Sequence, residues 1–330
     1  MEKVIYRSDL ERNLIKPSNL INQYNKLVEE DILNFFNLEE NIELPELKNA
    51  CHKFTKSNMH YLYSDKLKGI FLSPRPDEKK LKKYYINSKS RTYWLETILT
   101  HTEETRNKKI VIPQINWINS IINQYIKTNK DVIKSVEINA TNWSYFEKSN
   151  LINNLEYSFY DAFLNMNLIP KNLSDLKIHE EIMSKKFDII FLFEALDRAF
   201  DPFKLLRDSF QALEKNGICF ITCLLSSGFE AKSLGKESDI FSPPEKMNIF
   251  SFEGLLSLFN NISGVEIIEF STPSLFDLEN VANKSTSTEK NEFIKYIMNE
   301  RNDINLKNSF RDFLQLNQLG SSARIAIKKV

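Results

Sequence analysis

No glycine occurs between residues 70 and 216. The chain holds seven in all, at 69, 217, 228, 235, 254, 264 and 320. Loops that cradle a phosphate or a nucleotide use glycine so that backbone can approach the ligand and adopt positive φ. Such a loop is therefore excluded from nearly half of the 330 residues, whatever the fold. Any site in that stretch must be built from residues that carry side chains.

The remaining composition narrows the class. Hydrophobic residues make up 42%, enough for a buried core, which argues against wholesale disorder. The length suits one large domain or two smaller ones. Lys+Arg and Asp+Glu balance at 44 each. That zero sum speaks against a protein whose main task is neutralising nucleic-acid phosphates. The three cysteines, Cys51, Cys219 and Cys223, make no disulfide framework. No apolar run is long enough to span a bilayer, and the start does not read as a signal peptide, so a cytoplasmic protein without nucleic-acid partners is expected.

Along the chain, helical spacing of Leu20, Tyr24, Leu27, Val28, Ile32 and Phe35 predicts a helix after Pro17-Ser18. Residues 47–76 read as irregular, with a short strand at Gly69–Leu72. Asp77 reads as the N-cap of a following helix, and a longer helix is expected near 90–106. From residue 108 short apolar strands alternate with helices. Strands are expected at 109–112, 133–138, 156–160, 187–193, 217–224, 265–270 and 324–328. Helices are expected at 116–128, 142–151, 174–185, 202–214, 251–260 and 289–317. Phe187–Phe193 is nearly continuous apolar sequence, as a central strand buried on both faces requires. The pattern predicts an α/β doubly wound sheet with helices on both faces. The boundary is set between a helical and irregular region at 1–107 and the α/β domain at 108–330. Residues 225–250 read as a long functional loop.

Four stretches carry a resemblance. They are Phe71-Leu72-Ser73-Pro74-Arg75-Pro76 with Tyr84-Tyr85; Phe187 through Asp197 with Asp201-Pro202; Leu213-Glu214-Lys215-Asn216-Gly217; and Ser242-Pro243-Pro244-Glu245-Lys246-Met247-Asn248. In this order the chain resembles the class I S-adenosylmethionine-dependent methyltransferases, in the bacterial branch that begins with a zinc-ribbon-like segment. The resemblance implies a Rossmann-like seven-stranded sheet with its last strand antiparallel, and S-adenosylmethionine as cofactor.

The chain departs from that family's pattern. Where the family's first strand ends in an acidic residue and a glycine-rich turn, the matching stretch is taken as Ile110 to Asn119. It has no glycine, and Ile115, Trp117 and Ile118 would fill the turn, with Gln114 and Asn116 beside the cofactor. Glu137 falls where the family's second strand holds the ribose hydroxyls, since a carboxylate accepts both; a surface glutamate is the plainer account. Asp161 is matched to the adenine-contacting position. Glu194 and Asp197 are the candidate catalytic carboxylates, with helix-start charge as the plainer account, because Asp197-Arg198 stands where the family often has Glu-His. The second zinc pair would fall near Asp65 and Lys68, neither a cysteine, so no metal is expected. Cys219 and Cys223 share one strand face by their even spacing and read as core. Two functions remain open. One is a degenerate, non-catalytic binding or scaffolding module. The other is an active methyltransferase acting on a small molecule, such as a sugar or nucleotide-sugar of surface polysaccharide synthesis.

Overall fold

A computed structural model describes residues 17–36, 41–126, 131–138, 152, 154–160, 185–274, 276–284 and 292–330. Twelve strands occur among these residues. In chain order they are β1 (Asn41–Ile42), β2 (Cys51–Lys56), β3 (Met59–Ser64), β4 (Gly69–Leu72), β5 (Arg75–Pro76), β6 (Ile133–Ile138), β7 (Leu155–Tyr160), β8 (Phe187–Phe193), β9 (Leu213–Leu224), β10 (Asn248–Phe250), β11 (Val265–Ser271) and β12 (Ser322–Lys329).

Six strands form the main sheet in the order β11-β12-β9-β8-β6-β7. β7, β6, β8 and β9 run parallel to one another, whereas β12 runs antiparallel to both β9 and β11. All seven residues of β8 are buried, as expected of a strand covered on both faces. Its odd residues Ile189, Phe191 and Phe193 meet Ile118, Ile121 and Phe220 on one side. Its even residues Ile190 and Leu192 meet Leu206, Phe210 and Phe259 on the other. Cys219 and Cys223 lie in that second layer, both buried. The helix at Pro202–Ala212 starts where the sequence places it: Asp201 accepts from the Lys204 amide at 2.8 Å and proline occupies the first turn.

The strand expected at 109–112 is helix instead. A helical run from Lys89 to Tyr125 passes through π-helical turns at Trp94–Leu99 and Asn107–Val111. Residue 107 lies inside it. The π turn falls just before Pro113, which has no N–H to donate back along the helix. Val111, Ile115, Ile118 and Ile122 recur at helical spacing and are buried against the main sheet. Ile115, Trp117 and Ile118 therefore pack on the sheet and fill no turn. Trp117 adds an indole hydrogen bond to Glu269 at 2.8 Å.

Residues 51–72 are a meander, not irregular chain. β2, β3 and β4 pair antiparallel, and β10 closes the sheet on β4. Ser57 and Asn58 both have positive φ, the conformation of a two-residue hairpin turn. The stretch 225–250 is also structured, with a helix at Phe229–Leu234 and then β10. The helix expected over 289–317 is broken at Asn302, which takes the left-handed conformation before Asp303 caps Ile304–Leu316. The helix expected at 142–151 lies outside the described residues, as does all but residue 185 of the one expected at 174–185. No helix among the described residues is long and apolar enough to cross a membrane.

The helical assignment separates two neighbouring isoleucines. Ile118→Ala, at a buried site, is expected to lower the unfolding free energy by about 2–5 kcal/mol in a urea melt. Ile112→Ala, at a site 41% exposed, should change it by less than about 0.5 kcal/mol. Equal losses at both would contradict the helix.

Candidate functional site

The parallel strands β8 and β9 end at a cavity of about 290 Å³. Its floor is Phe193, Glu194, Thr222 and Cys223. Ligand crevices in doubly wound sheets open at this carboxyl end of the strands. One wall comes from the N-terminal helix (Tyr24) and the long helical run (Trp94, Gln114). Another comes from the Pro-Pro-Glu segment (Glu245, Lys246).

Glu194 ends β8 in the left-handed conformation, φ 54°, which is unfavourable for a residue with a side chain. Its amide donates to the Thr222 carbonyl at 2.7 Å, and its carboxylate is held from two sides. Lys246 Nζ donates to Glu194 Oε2 at 2.7 Å and Arg198 Nη2 donates to the same oxygen at 3.1 Å. Lys246 also reaches Asp197 Oδ2 at 3.2 Å, and the Leu224 amide donates to the Asp197 carboxylate. One ammonium thus bridges two carboxylates, one facing the cavity and one behind it.

The two acids titrate in opposite directions. Lys246 holds the Glu194 carboxyl well below the ordinary carboxylate range, Arg198 adds to this, and burial works against it. Burial pushes Asp197 up to about 6, with Lys246 opposing and the Glu194 charge assisting. A carboxylate so reluctant to take a proton is a poor general base. Asp197 would be the better base, but it is fully buried and does not line the cavity. Glu194 is thus equipped to accept hydrogen bonds, and Asp197 to hold Lys246.

The other candidate residues are dispersed. Gln114 is buried and lines the cavity, while Asn116 is exposed on the same helix and does not. Glu137 is 1% exposed. It does not line this cavity; its carboxylate accepts the Tyr157 hydroxyl within the sheet layer. It stands on β6, the first strand of the main sheet along the chain, and not on the second as expected from the sequence. Asp161 lies outside the described residues. Asp65 and Lys68, at the expected second zinc pair, form an ion pair at 2.9 Å. No group of three or more metal-ligating side chains occurs among the described residues.

Lys246, Arg198, Tyr24 and Trp94 were not singled out as site residues from the sequence. Lys246 lies 52 residues from Glu194 and 49 from Asp197, so no local pattern signals the bridge.

No family model and no curated protein matches the chain. Solved structures similar to it include the plantazolicin methyltransferase BamL in complex with S-adenosylhomocysteine, at 12% identity over 76% of this chain and 94% of that one, TM-score 0.44. Another is the O-methyltransferase of a trans-AT polyketide synthase from Brevibacillus brevis, also with S-adenosylhomocysteine, at 14% identity over 76% and 80%, TM-score 0.43. A third is an S-adenosylmethionine-dependent methyltransferase from Archaeoglobus fulgidus, at 17% identity over 65% and 94%, TM-score 0.39.

Burial of Asp197 makes stability depend on pH, and the Lys246 bridge tempers that dependence. Asp197 has a raised folded value, so the native state binds its proton more tightly than the unfolded chain. Stability should therefore fall as pH rises from about 4 through about 6. Replacing Lys246 by Met removes the charge that opposes this shift. Lys246→Met is expected to lower the melting temperature more at pH 8 than at pH 5, as followed by circular dichroism. A uniform drop at both values would show that Lys246 does not oppose the rise of the Asp197 carboxyl.

Proposed function

We propose that the chain is a methyltransferase-like binding or scaffolding module that does not transfer methyl groups. One observation carries this reading. The Glu137 carboxylate, at the end of the strand where the resembled family turns toward its cofactor, is buried and occupied by the Tyr157 hydroxyl. With β6 as the first strand of the main sheet among the described residues, Glu137 takes the family's first acidic position. The sequence that follows, Asn139-Ala140-Thr141-Asn142, has no glycine and so lacks the residue whose backbone freedom the family's turn uses. These residues do not fit S-adenosylmethionine in the family's manner. Neither Glu194 nor Asp197 supplies an accessible base. The cavity at the ends of β8 and β9 is the surface left for a small molecule.

A second reading is favoured by a different observation. Ile115, Trp117 and Ile118 lie against the sheet, so they do not obstruct the crevice at the strand ends. In that reading the chain is an active methyltransferase for a small molecule, such as a sugar or nucleotide-sugar, with Asp161 at the adenine-contacting position that the resemblance implies.

Titration calorimetry with S-adenosylmethionine and S-adenosylhomocysteine separates the two. No heat, and no thermal shift at millimolar ligand, is the expected outcome. Micromolar binding that Asp161→Ala abolishes would overturn the non-catalytic reading and establish the other.

A further inference from the structure

Two acids stand in the cavity wall with no cation paired to either among the described residues. Asp277 and Glu230 both line it, at 5% and 3% exposure. The charged groups around them are engaged elsewhere. Lys246 holds Glu194, Lys284 pairs with Asp239, and Arg311 pairs with Glu279. Arg324 on β12 lies over the Trp117 ring at 5.9 Å, and Lys109 over the Phe276 ring at 5.8 Å. Asp277 Oδ2 accepts from the Ser321 amide at 2.9 Å and from the Ser274 hydroxyl at 3.0 Å. The Glu230 carboxylate accepts from Ser238 Oγ and Asn280 Nδ2, both at 2.7 Å, and the Glu230 amide donates to Ser321 Oγ at 2.8 Å. Ser321 thus touches both acidic residues.

Ser321 is a fixed anchor. Gly228 packs on the Ser321 backbone and Gly320 on the Thr272 carbonyl, each so closely that a β-carbon has no room. The helix at Asp277–Lys284 forms the other side of the contact and is held more lightly. Asn280 and Lys284 reach back to Glu230, Glu237 and Asp239. Its buried apolar residues Leu278, Val281 and Ala282 belong to a small cluster with Ile294, apart from the clusters that cover the main sheet. An element with few buried apolar contacts opens without unfolding the rest. Burial pushes the Asp277 carboxyl up to about 7, opposed by the Ser321 and Ser274 hydrogen bonds and assisted by the Glu230 charge. Once ionised, Asp277 is stabilised by reaching water, which the closed helix denies it. We propose that the helix at Asp277–Lys284 is a proton-controlled gate, closed on the cavity while Asp277 is protonated and released when Asp277 ionises beside Glu230. Pro273, Phe276, Asp277 and Asn280 all line the cavity, so release opens that wall. This rests on reading the cavity as a small-molecule site, and it names how access to that site is regulated.

The test needs no ligand. Amide hydrogen exchange of the intact chain is followed by mass spectrometry at pH 6 and pH 8, with labelling times scaled for the intrinsic rate at each. Peptides covering 277–284 should exchange about tenfold faster at pH 8 after that scaling, because the closed helix holds a proton that the open one gives up. Peptides covering β8 should stay protected at both values. Asp277→Asn keeps an acceptor oxygen for Ser321 and Ser274 and should abolish the difference. Glu230→Gln removes the assisting charge and should shrink it. The Cys223 thiol, 3% exposed on the cavity floor, reports access. At pH 8 its alkylation by iodoacetamide should be several-fold slower in Asp277→Asn than in the unaltered chain. Equal exchange at both pH values would overturn the proposal. So would a pH effect that persists in Asp277→Asn, a loss of protection shared by β8, or equal alkylation of Cys223. Calorimetric binding of S-adenosylmethionine would overturn the non-catalytic reading and leave the exchange result standing.

Discussion

The Arg75 guanidinium, sealed from solvent, ties the four-stranded sheet to the chain that follows β8. Nη1 donates to the Phe200 carbonyl at 2.5 Å, and Nη2 to the Leu72 carbonyl and to Asn248 Oδ1, both at 3.1 Å. Asn248 in turn donates to the carbonyls of Leu196 and Ala199. The pair satisfies main-chain acceptors within and just after the helix at Ala195–Arg198 and at the end of β4, so these carbonyls have partners where water cannot reach. Burial lowers the Arg75 proton affinity to about 10, which leaves it charged at neutral pH. That helix carries Asp197 and Arg198 and follows directly on Glu194. The geometry at the ends of β8 and β9 is thus set from behind by a charge that never touches the cavity.

This arrangement explains why the small sheet is no separate appendage. β10 belongs to the chain segment that also supplies Glu245 and Lys246, and it pairs with β4. The Tyr61 hydroxyl bonds the Lys246 carbonyl at 2.8 Å, and the Leu72 amide bonds the Met247 carbonyl at 2.8 Å. The meander therefore grips the backbone at the lysine that bridges Glu194 and Asp197 and at the residue after it. Packing in one layer is converted into charge placement in another.

The sequence displayed some of this openly. Continuous apolar character marked β8, Asp77 marked a helix start, and alternation of short apolar strands with helices marked the main-sheet strands from β6 onward. It misled at Ile110-Val111-Ile112, where a short β-branched run reads equally well as strand or helix. The deciding signal was the longer stripe of Val111, Ile115, Ile118 and Ile122, with period 3.6. That error displaced the strand count by one and carried Glu137 with it. The Ser57-Asn58 turn was legible in principle, since asparagine tolerates positive φ. The Lys246 bridge and the Tyr157–Glu137 pair were not legible, because both join residues on different strands or segments that only the finished fold brings together.

The late arrival of β10 bears on how the polypeptide is made. Arg75 waits for Asn248, 173 residues further on. On a ribosome that synthesises from the N-terminus, the meander emerges long before its fourth strand. Until then β4 presents a free edge flanked by Ile70, Phe71 and Leu72, an apolar template for pairing with another nascent chain. The contacts that complete the sheet are also among the most distant in sequence, and such contacts slow folding. The length of synthesis between the two segments thus sets how long that edge stays open, and the edge is covered only when the chain that also walls the cavity has been made.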